Sequence, residues 1–318
     1  MEVSSHSIAL KKVYPLKFKF GIFTNLSEEH LDFHKGIDDY YQTKLSLFHS
    51  CENGIFNLDN PYCMQAMMTL QNEINVHGIG IIKDADAMAR DIIIDGFWGS
   101  KFIYREKKKI FKINLNLSGT YNIYNAMLAI KCALLSGVSP STLKTSLKEL
   151  ASVDGRFEKV SQSPMVIIDY AHTEKALENL LIFVNSTKNA EQNICTVFGC
   201  GGERDRQKRP KMARIAQKYS DFVIVTTDNS RGEDASEIIR EIELGFENSE
   251  NHITIENRRR AIEFAVKNAS EYDIVLIVGK GHERYNIDEL GYHFFDERKI
   301  VKDALKEKER NQNNENRA

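Results

Sequence analysis

The segment MVIIDYAHTEKALENLLIFVNSTKNAEQNICTVF, residues 165–198, decides the fold of the second half of the chain. It opens with a short apolar run, Met165–Ile168, continues with helical spacing over Lys175–Asn185, and closes with a β-rich run, Ile194–Phe198. A strand, a helix and a strand in this order predict a β-α-β unit, in which the two strands are parallel.

The same alternation continues toward residue 278. Further strands are predicted at Phe222–Thr226 and Ile274–Val278, and further helices at Lys211–Tyr219, Ala235–Leu244 and Asn257–Ala269. The predicted fold class is therefore α/β, with a Rossmann-like, mostly parallel sheet in a domain that spans residues 158–318. Its last residues, KERNQNNENRA (308–318), are polar throughout and are expected to form a frayed tail.

Polar segments follow directly after four of the predicted strands. They are DYAHTE (169–174), GCGGERDRQKRP (199–210), TDNSRGED (227–234) and GKGHER (279–284). Ligands of parallel sheets bind beyond the carboxyl ends of the strands, so we expect these segments to meet at one edge. Together they predict a site for an amino acid or another zwitterion.

These segments carry the residue types that such a site needs. Arginine recognises carboxylates and phosphates through paired hydrogen bonds, and a glycine-rich turn can direct backbone N–H groups at an anion. Asp228 and Arg231 are interpreted as an acid–base pair after a strand. The other candidates are Arg204, Arg206, Lys208, Arg209, Lys280, His282 and Glu283. For any one of these loops taken alone, a solvated surface remains the alternative.

The first half of the chain is less regular, and we place the domain boundary near residue 157. Phe18–Phe23 is predicted to be a strand, and Ile37–His49 a helix that carries Lys44. Gly119–Ser136 has the spacing of a buried helix. The residues between 51 and 113 contain short β-like runs, for which no topology is predicted.

Composition excludes several classes of protein. The chain has 318 residues, of which 42% are hydrophobic and 28% charged, and its net charge is −2 from 43 basic and 45 acidic residues. This balance argues against a nucleic-acid partner, and the lack of a long apolar run argues against a membrane span. Five cysteines without a C-x-x-C pair, and no visible secretory signal, favour reduced thiols and a cytoplasmic location.

Candidate metal ligands cluster near the N-terminus. They are Glu2, His6, His30, Asp32 and His34. Carboxylates with an imidazole and water suit Mg²⁺ beside phosphates, although a polar surface turn is the alternative. Lys44 stands among apolar neighbours, which ordinarily indicates a lysine whose stem packs on the surface while its charge reaches water.

Nine segments taken in order resemble the motifs of the Mur ligases, the ATP-dependent amide-bond synthetases of peptidoglycan assembly. They are MEVSSH, FTNLSEEHLDFH, YYQTKLSLF, GTYNIYNAMLAI, VDGRFE, VIIDYAHTEKALENLL, VFGCGGERDRQKRPKM, TTDNSRGED and VGKGHE. The resemblance implies that residues 1–157 are the C-terminal part of a central ATP-binding domain. Residues 158–318 would then be the amino-acid-binding domain of the family.

The resemblance also implies roles for individual residues, with ATP and Mg²⁺ as cofactors. The residues implied in Mg²⁺ binding are Glu2, His30 and a carbamylated Lys44. Those implied in catalysis or nucleotide binding are Lys44, Asn122, Asn125, Arg156, Asp169 and His172. Those implied in substrate binding are Ser4 for the muramoyl substrate and Arg204, Asp228, Asn229, Arg231, Gly279 and Glu283 for the amino acid.

The implied reaction joins the third stem-peptide residue to UDP-N-acetylmuramoyl-L-alanyl-D-glutamate in the cytoplasm of a bacterium. ATP converts the carboxylate to an acyl phosphate, which the incoming amine attacks. In relatives that use meso-diaminopimelate, an arginine at the position of Arg231 binds the distal carboxylate. Because L-lysine has no distal carboxylate, Arg231 favours meso-diaminopimelate, with L-lysine as the alternative.

The phosphate-loop pattern G-x-x-x-x-G-K-[ST] does not occur in the sequence. The resemblance therefore implies that the UDP-binding domain and the phosphate loop lie outside these residues. We expect little ligase activity from this chain alone, an exposed sheet edge in its first domain, and a separate chain as the source of the missing half. The alternatives are a non-catalytic module that binds an amino acid or nucleotide, and a different amide ligase of the same superfamily.

Overall fold

A computed structural model of the protein describes residues 1–27, 33–150 and 152–315. The chain divides into two compact units, Met1–Ala151 and Ser152–Ala318. All five cysteines are free. In the described part of the chain, no helix is both long and apolar enough to cross a membrane.

The first unit is built around a mixed sheet. Its described strands lie in the order β1 to β6, which are Phe18–Phe23, Cys51–Asn57, Asn75–Gly80, Ala87–Asp95, Gly99–Glu106 and Lys109–Leu115. β1 to β4 pair in parallel, and β4, β5 and β6 pair antiparallel. The helices are α1 (Ser5–Ala9), α2 (Ile37–Ser46), α3 (Pro61–Leu70), α4 (Thr120–Leu135) and α5 (Pro140–Glu149). The sequence had left the topology of this sheet open.

Helix α4 forms the centre of one apolar core of the first unit. Its Ile123 and Met127 are fully buried in a cluster with Ile55 and Ile79 of the sheet. Burial of each such side chain stabilises the fold by about 1.5–3 kcal/mol. The predicted helix at Gly119–Ser136 is thereby confirmed. The predicted helix Ile37–His49 ends earlier, because the chain tightens into a 3₁₀ turn at Leu47–Ser50.

The second unit contains the predicted parallel sheet. Its described strands are β7 (Glu158–Gln162), β8 (Met165–Asp169), β9 (Ile194–Phe198), β10 (Phe222–Val225), β11 (His252–Thr254), β12 (Ile274–Val278), β13 (Tyr285–Asp288) and β14 (Gly291–Phe294). The sheet order is β11-β10-β9-β12-β8-β7, in which only β7 is antiparallel to its neighbour, and β13 and β14 form a separate hairpin. β12 is buried along its whole length, as expected of a strand covered on both faces.

The helices of the second unit cover this sheet. They are α6 (Glu174–Thr187), α7 (Lys208–Tyr219), α8 (Ala235–Glu243), α9 (Arg258–Asn268) and α10 (Glu297–Glu315). The strands and helices predicted between residues 165 and 278 are confirmed, with shifts of a few residues at their ends. The sequence did not predict β7, β11, the β13–β14 hairpin or α10.

The frayed tail predicted for residues 308–318 is wrong as far as residue 315. Helix α10 continues to Glu315 because its first turns are anchored, with Ile300, Val301 and Ala304 buried in the core that α9 also lines. The Lys308 ammonium also donates to the carbonyl of Val266 at 3.3 Å. Once a helix is anchored, each added residue gains a hydrogen bond without a new nucleation step. Residues 316–318 lie outside the described part.

The second unit begins before the boundary at 157 that the sequence suggests. The Phe157 amide donates to Asp169 Oδ2 at 2.7 Å, which joins the turn at 154–157 to the end of β8. This turn therefore belongs to the second unit.

A buried ion pair links the two C-terminal helices to the sheet. Arg258, the first residue of α9, donates from Nε to Oε1 of Glu297, the first residue of α10, at 2.7 Å. Its Nη2 donates to the Val278 carbonyl at 2.9 Å, and its Nη1 to the Thr227 carbonyl at 3.3 Å. Both side chains are almost fully buried. One guanidinium therefore joins the starts of two helices to the loop after β10 and to the end of β12.

Replacement of Arg258 by methionine is expected to lower the free energy of unfolding by about 3–5 kcal/mol, since it leaves Glu297 buried without its partner. The matched control is Arg259→Met, which removes an exposed arginine 3.8 Å from Glu263 and is expected to cost about 0–1 kcal/mol. Urea unfolding of the two variants measures the difference. Equal losses would contradict the role given to Arg258.

Candidate functional site

The four polar segments predicted to meet at one edge of the sheet do so. β8, β9, β10 and β12 are parallel, so the loops that follow them leave from the same edge. The Gly202 amide donates to the Asn229 carbonyl at 2.9 Å, and Lys208 Nζ donates to the His172 carbonyl at 2.8 Å. These contacts connect the loops after β9 and β10 and the loops after β8 and β9.

A buried lysine lies at the centre of this edge. Lys280 is fully buried, and its Nζ donates to Asn229 Oδ1 at 2.7 Å. The same ammonium lies 3.5 Å from Asp228 Oδ1 and 3.7 Å from Glu283 Oε2. The Asn229 side chain completes the network, since its Nδ2 donates to Glu283 Oε2 at 2.9 Å. Three of the predicted pocket residues are thus held together by one cation.

The charges around Asp228 keep it ionised. Burial acts to raise the pKa of Asp228, but the nearby charges of Lys280 and Arg258 outweigh it and hold the pKa below its usual range. Gly279 also lies against this carboxylate, because a Cβ at that position would come within 2.7 Å of Asp228 Oδ2. With a φ of +115°, the position suits glycine on backbone grounds as well.

Arg231 is held by backbone groups rather than by a carboxylate. One guanidinium nitrogen, Nη1, donates to the Gly202 carbonyl at 2.8 Å and to the Asn229 carbonyl at 3.2 Å. Its amide donates to the Ile287 carbonyl at 3.0 Å, and its φ is +54°. Within the described residues, Nε and Nη2 donate no hydrogen bond. The predicted pairing with Asp228 is wrong, because the ion-pair partner of Asp228 is Lys280.

The basic residues after β9 divide into two groups. Arg209 is fully buried and donates to Glu233 and Glu241 at 3.0 and 2.8 Å, and Arg206 also pairs with Glu241. These two arginines therefore stabilise the loop that carries the site. Arg204 is exposed and forms no ion pair within the described part of the chain, which leaves its guanidinium available to a ligand.

A second group of predicted residues lies at the end of β8. The Asp169 carboxylate accepts hydrogen bonds from the Phe157 and Ala171 amides at 2.7 and 2.8 Å, and burial raises its pKa. The guanidinium carbon of Arg156 lies 4.5 Å from the centre of the Tyr170 ring. These residues come together within the second unit.

Tyr170 connects that group to the next predicted residue. The His172 ring lies 4.7 Å from the Tyr170 ring, measured between centroids. Arg156 is exposed and held over this aromatic surface without a carboxylate partner among the described residues. A cation held in this way can bind a phosphate group.

An ion pair fixes the turn that carries Arg156. Arg298 Nε donates to Glu158 Oε1 at 2.8 Å, and Arg298 Nη1 donates to the Gly281 carbonyl at 3.2 Å. Glu158 Oε2 accepts from the Gly155 amide at 2.7 Å. Burial acts to raise the pKa of Glu158, but the hydrogen bonds from Arg298 and Gly155 outweigh it and lower the pKa. The loops at 155 and 281 are thus joined through one salt bridge.

The sequence did not point to the residues that support the site. Arg258 is part of an RRR run and Arg298 of an ERK run, which read as ordinary exposed charge. Lys280 was singled out only as a polar residue after a strand. The one available signal was its position two residues after the fully apolar run of β12.

In the first unit, the predicted residues lie on α1, α2 and α4. Ser4 caps α1, with its Oγ accepting from the Ser7 amide at 3.1 Å, and Glu2 is exposed. The Lys44 ammonium lies 5.6 Å from the centre of the Tyr40 ring. Their predicted roles in substrate and metal binding stay predictions.

The asparagine pair of α4 is divided between the interior and the surface. Asn122 is buried and donates from Nδ2 to the Ser118 carbonyl at 2.8 Å, whereas Asn125 is exposed. Asn125 is therefore the member of the pair whose side chain is accessible to a nucleotide.

The predicted metal ligands are only partly described. His30 and Asp32 lie outside the described residues, and His34 Nδ1 lies 3.3 Å from Asp39 Oδ2. Among the residues that are described, no group of three or more His, Cys, Asp or Glu side chains is arranged to hold a metal ion.

Comparison with known families agrees with both units. The Mur ligase middle domain matches residues 1–133, and the Mur ligase glutamate ligase domain matches residues 155–281. The chain therefore belongs to the Mur ligase family.

Curated relatives cover nearly the whole chain. UDP-N-acetylmuramoyl-L-alanyl-D-glutamate–2,6-diaminopimelate ligase of Clostridium botulinum is 40% identical over 315 residues, which is 96% of this chain and 63% of the relative. The protein of the same name from Syntrophomonas wolfei is 41% identical over 97% of this chain and 64% of its own length. The chain thus spans less than two thirds of these relatives.

Solved structures show the same architecture. A structure of a UDP-N-acetylmuramoyl-L-alanyl-D-glutamate–2,6-diaminopimelate ligase matches with a TM-score of 0.62 and 29% identity, covering 97% of this chain and 64% of that one. A pseudomurein peptide ligase type C from Methanothermus fervidus matches with a TM-score of 0.68 over 91% of this chain and 63% of that one. Its identity is 18%, so that likeness is one of fold.

The pair between Glu158 and Arg298 makes stability depend on pH. Because the pKa of Glu158 is lowered in the folded chain, the pair stabilises the fold above the ordinary value of 4.5 and loses this contribution as the pH falls through the lowered pKa. Arg298→Gln is expected to lower the free energy of unfolding by about 1–3 kcal/mol near pH 7, and by less at an acidic pH below the lowered pKa of Glu158. Urea unfolding at both pH values measures this.

Lys175→Gln, which removes an exposed pair with Glu178, serves as the control and is expected to change stability little at either pH. A loss for Arg298→Gln that is equal at both pH values would show that Glu158 is not responsible.

Proposed function

We propose that this chain contains the amino-acid pocket of an ATP-dependent ligase that adds meso-diaminopimelate to UDP-N-acetylmuramoyl-L-alanyl-D-glutamate in peptidoglycan synthesis. The family and the names of its relatives support the reaction class. The observation that carries the choice of amino acid is that Arg231 and Glu283 both hydrogen-bond to Asn229, one to its backbone carbonyl and the other to its side chain.

Asn229 contacts two side chains of opposite charge. Arg231 donates from Nη1 to the Asn229 carbonyl, and Glu283 accepts from the Asn229 side chain. The remaining guanidinium donors of Arg231 suit a carboxylate, and the remaining oxygen of Glu283 suits an ammonium group. A carbon atom that bears both groups would satisfy both residues at once.

This charge pattern distinguishes the two amino acids predicted from the sequence. The distal carbon of meso-diaminopimelate bears an ammonium and a carboxylate, whereas the distal end of L-lysine bears only an ammonium. With lysine bound, the half-buried Arg231 would lose water without gaining an anion, which costs free energy. The pocket therefore favours meso-diaminopimelate.

The residues grouped at the end of β8 suit the binding of a nucleotide and of the reacting carboxylate. Arg156, held over Tyr170, would offset the negative charge of the phosphates, and His172 would line the same surface. Asp169 would keep the turn at Phe157 in place through the amide that it binds. In the first unit, the nucleotide contact predicted for the exposed Asn125 stays a prediction, and the buried Asn122 would hold the start of α4.

Mg²⁺, when bound beside the phosphates, would offset the repulsion between ATP and the substrate carboxylate. The residues predicted for it are Glu2, His30 and Lys44. Glu2 supplies an oxygen of the kind that Mg²⁺ prefers, but unmodified Lys44 is a cation and would act as a ligand only as a carbamate. The described residues alone do not fit an Mg²⁺ site, so no step is assigned to the metal.

The pocket is tested by isothermal titration calorimetry with meso-diaminopimelate and, separately, L-lysine. Both Arg231 and Glu283 lie in the second unit of this chain. Because calorimetry measures binding alone, the test does not require turnover. The wild-type chain is expected to bind meso-diaminopimelate more tightly. Arg231→Gln is expected to weaken that binding by about 10- to 100-fold, because charged hydrogen bonds are lost, and to change lysine binding little.

Two further variants test whether the preference depends on the paired donors of Arg231. Arg231→Lys keeps the charge but not the paired donors, and is expected to lose most of the preference. Arg240→Gln, which removes an exposed arginine that pairs with Glu237, is the control and is expected to keep it. Tighter binding of lysine by the wild-type chain, or an unchanged preference in Arg231→Gln, would overturn the proposal.

A further inference from the structure

We infer that Lys280 is a positioning residue of the amino-acid pocket, which sets the orientation of the Asn229 amide and the spacing of Asp228 and Glu283. The inference rests on the proposed function and extends it to a residue that the ligand is not expected to touch. It is carried by the burial of Lys280 and by its three polar neighbours.

The hydrogen bonds of Asn229 are directional. Its Oδ1 accepts from Lys280 Nζ at 2.7 Å and from the Ile287 amide at 3.0 Å. Both partners are donors, so the oxygen must face them and the Nδ2 group must face Glu283. Reversal of the amide would bring an N–H group against an ammonium. Lys280 therefore helps to fix which end of Asn229 meets the carboxylate.

Lys280 also separates two negative charges. The Asp228 and Glu283 carboxylates lie 3.5 and 3.7 Å from the same buried ammonium. Without it, two carboxylates in a poorly hydrated region would repel each other and move apart. With it, this group of three carries one net negative charge, which complements the single ammonium on the distal carbon of the proposed ligand.

The position of Lys280 explains why it cannot bind the ligand itself. Its side chain is fully buried, and all three of the polar contacts given above are to side chains of the pocket. The Tyr285 ring, at the start of the β13–β14 hairpin, lies 6.0 Å from its ammonium. Lys280 thus acts through the residues that face the pocket.

The variant that tests this is Lys280→Met, which keeps most of the volume of the side chain and removes its charge. The control is Lys308→Met, which removes a partly buried lysine whose ammonium binds the carbonyls of Val266 and Ala269. Circular dichroism establishes that each variant is folded. Calorimetry then compares the binding of meso-diaminopimelate with that of L-lysine.

We expect Lys280→Met to weaken meso-diaminopimelate binding by at least about 10-fold and to weaken lysine binding less, because a pocket that has lost a cation discriminates less against a ligand without a carboxylate. In an Asn229→Ala background, the same change should weaken meso-diaminopimelate binding by a smaller factor than in the wild-type chain, since one of the two routes by which Lys280 acts runs through Asn229. Lys308→Met should leave both affinities unchanged. Unchanged affinities in Lys280→Met, or equal losses for the two amino acids, would overturn the inference.

A spectroscopic measurement separates this inference from the proposed function. The side-chain amide signals of Asn229 in a ¹⁵N-labelled chain, assigned by their loss in Asn229→Ala, should shift in Lys280→Met and not in Lys308→Met. Unshifted signals would overturn the role of Lys280 even if meso-diaminopimelate binds. Conversely, a wild-type chain that binds neither amino acid would overturn the proposed function, and the shift would still decide the role of Lys280.

If Lys280→Met does not fold because Asp228 is left buried and charged, the double variant Lys280→Met with Asp228→Asn removes both charges of that pair. The Asn229 signals are then compared with those of Asp228→Asn alone. A shift between the two supports the inference, and identical signals refute it.

Discussion

The ion pair between Arg258 and Glu297 is the interaction on which the site depends. It joins the first residues of α9 and α10 to the carbonyl of Thr227 in the loop after β10 and to the carbonyl of Val278 at the end of β12. Asp228 comes directly after Thr227, and Lys280 lies two residues after Val278. The charge of Arg258 also helps to keep Asp228 ionised. An interaction between helix starts thus fixes both the spacing and the charge of the pocket.

The arginine and lysine side chains at this edge of the sheet differ in function because they differ in burial. Arg209 and Arg258 are buried against carboxylates and stabilise the loops. Lys280 is buried among side chains of the pocket. Arg231 is held by carbonyls and keeps donors for a ligand, and Arg204 is exposed. A parallel sheet allows this arrangement because loops distant in sequence leave from the same edge.

Much of the second unit could be predicted from the sequence. Apolar runs such as Ile274–Val278 are typical of strands buried on both faces, and the helices between them have clear spacing. The sequence also predicted that the four loops would meet. It did not predict α10, and the polar composition of residues 308–318 says nothing about the anchored turns that precede them. In the first unit, the short β-like runs could not be ordered, since strand pairing is decided by contacts distant in sequence.

The sequence by itself determined the α/β class, the family motifs, and the presence of Asp228, Asn229, Arg231 and Glu283 in loops after strands. Only the tertiary structure decided the partner of each charge. Asp228 pairs with Lys280 rather than with the nearby Arg231, and Arg209 is structural whereas Arg204 is accessible. The physical reason is that the free energy of a charged group depends on its burial and on neighbours from other strands, and neither is encoded in local spacing.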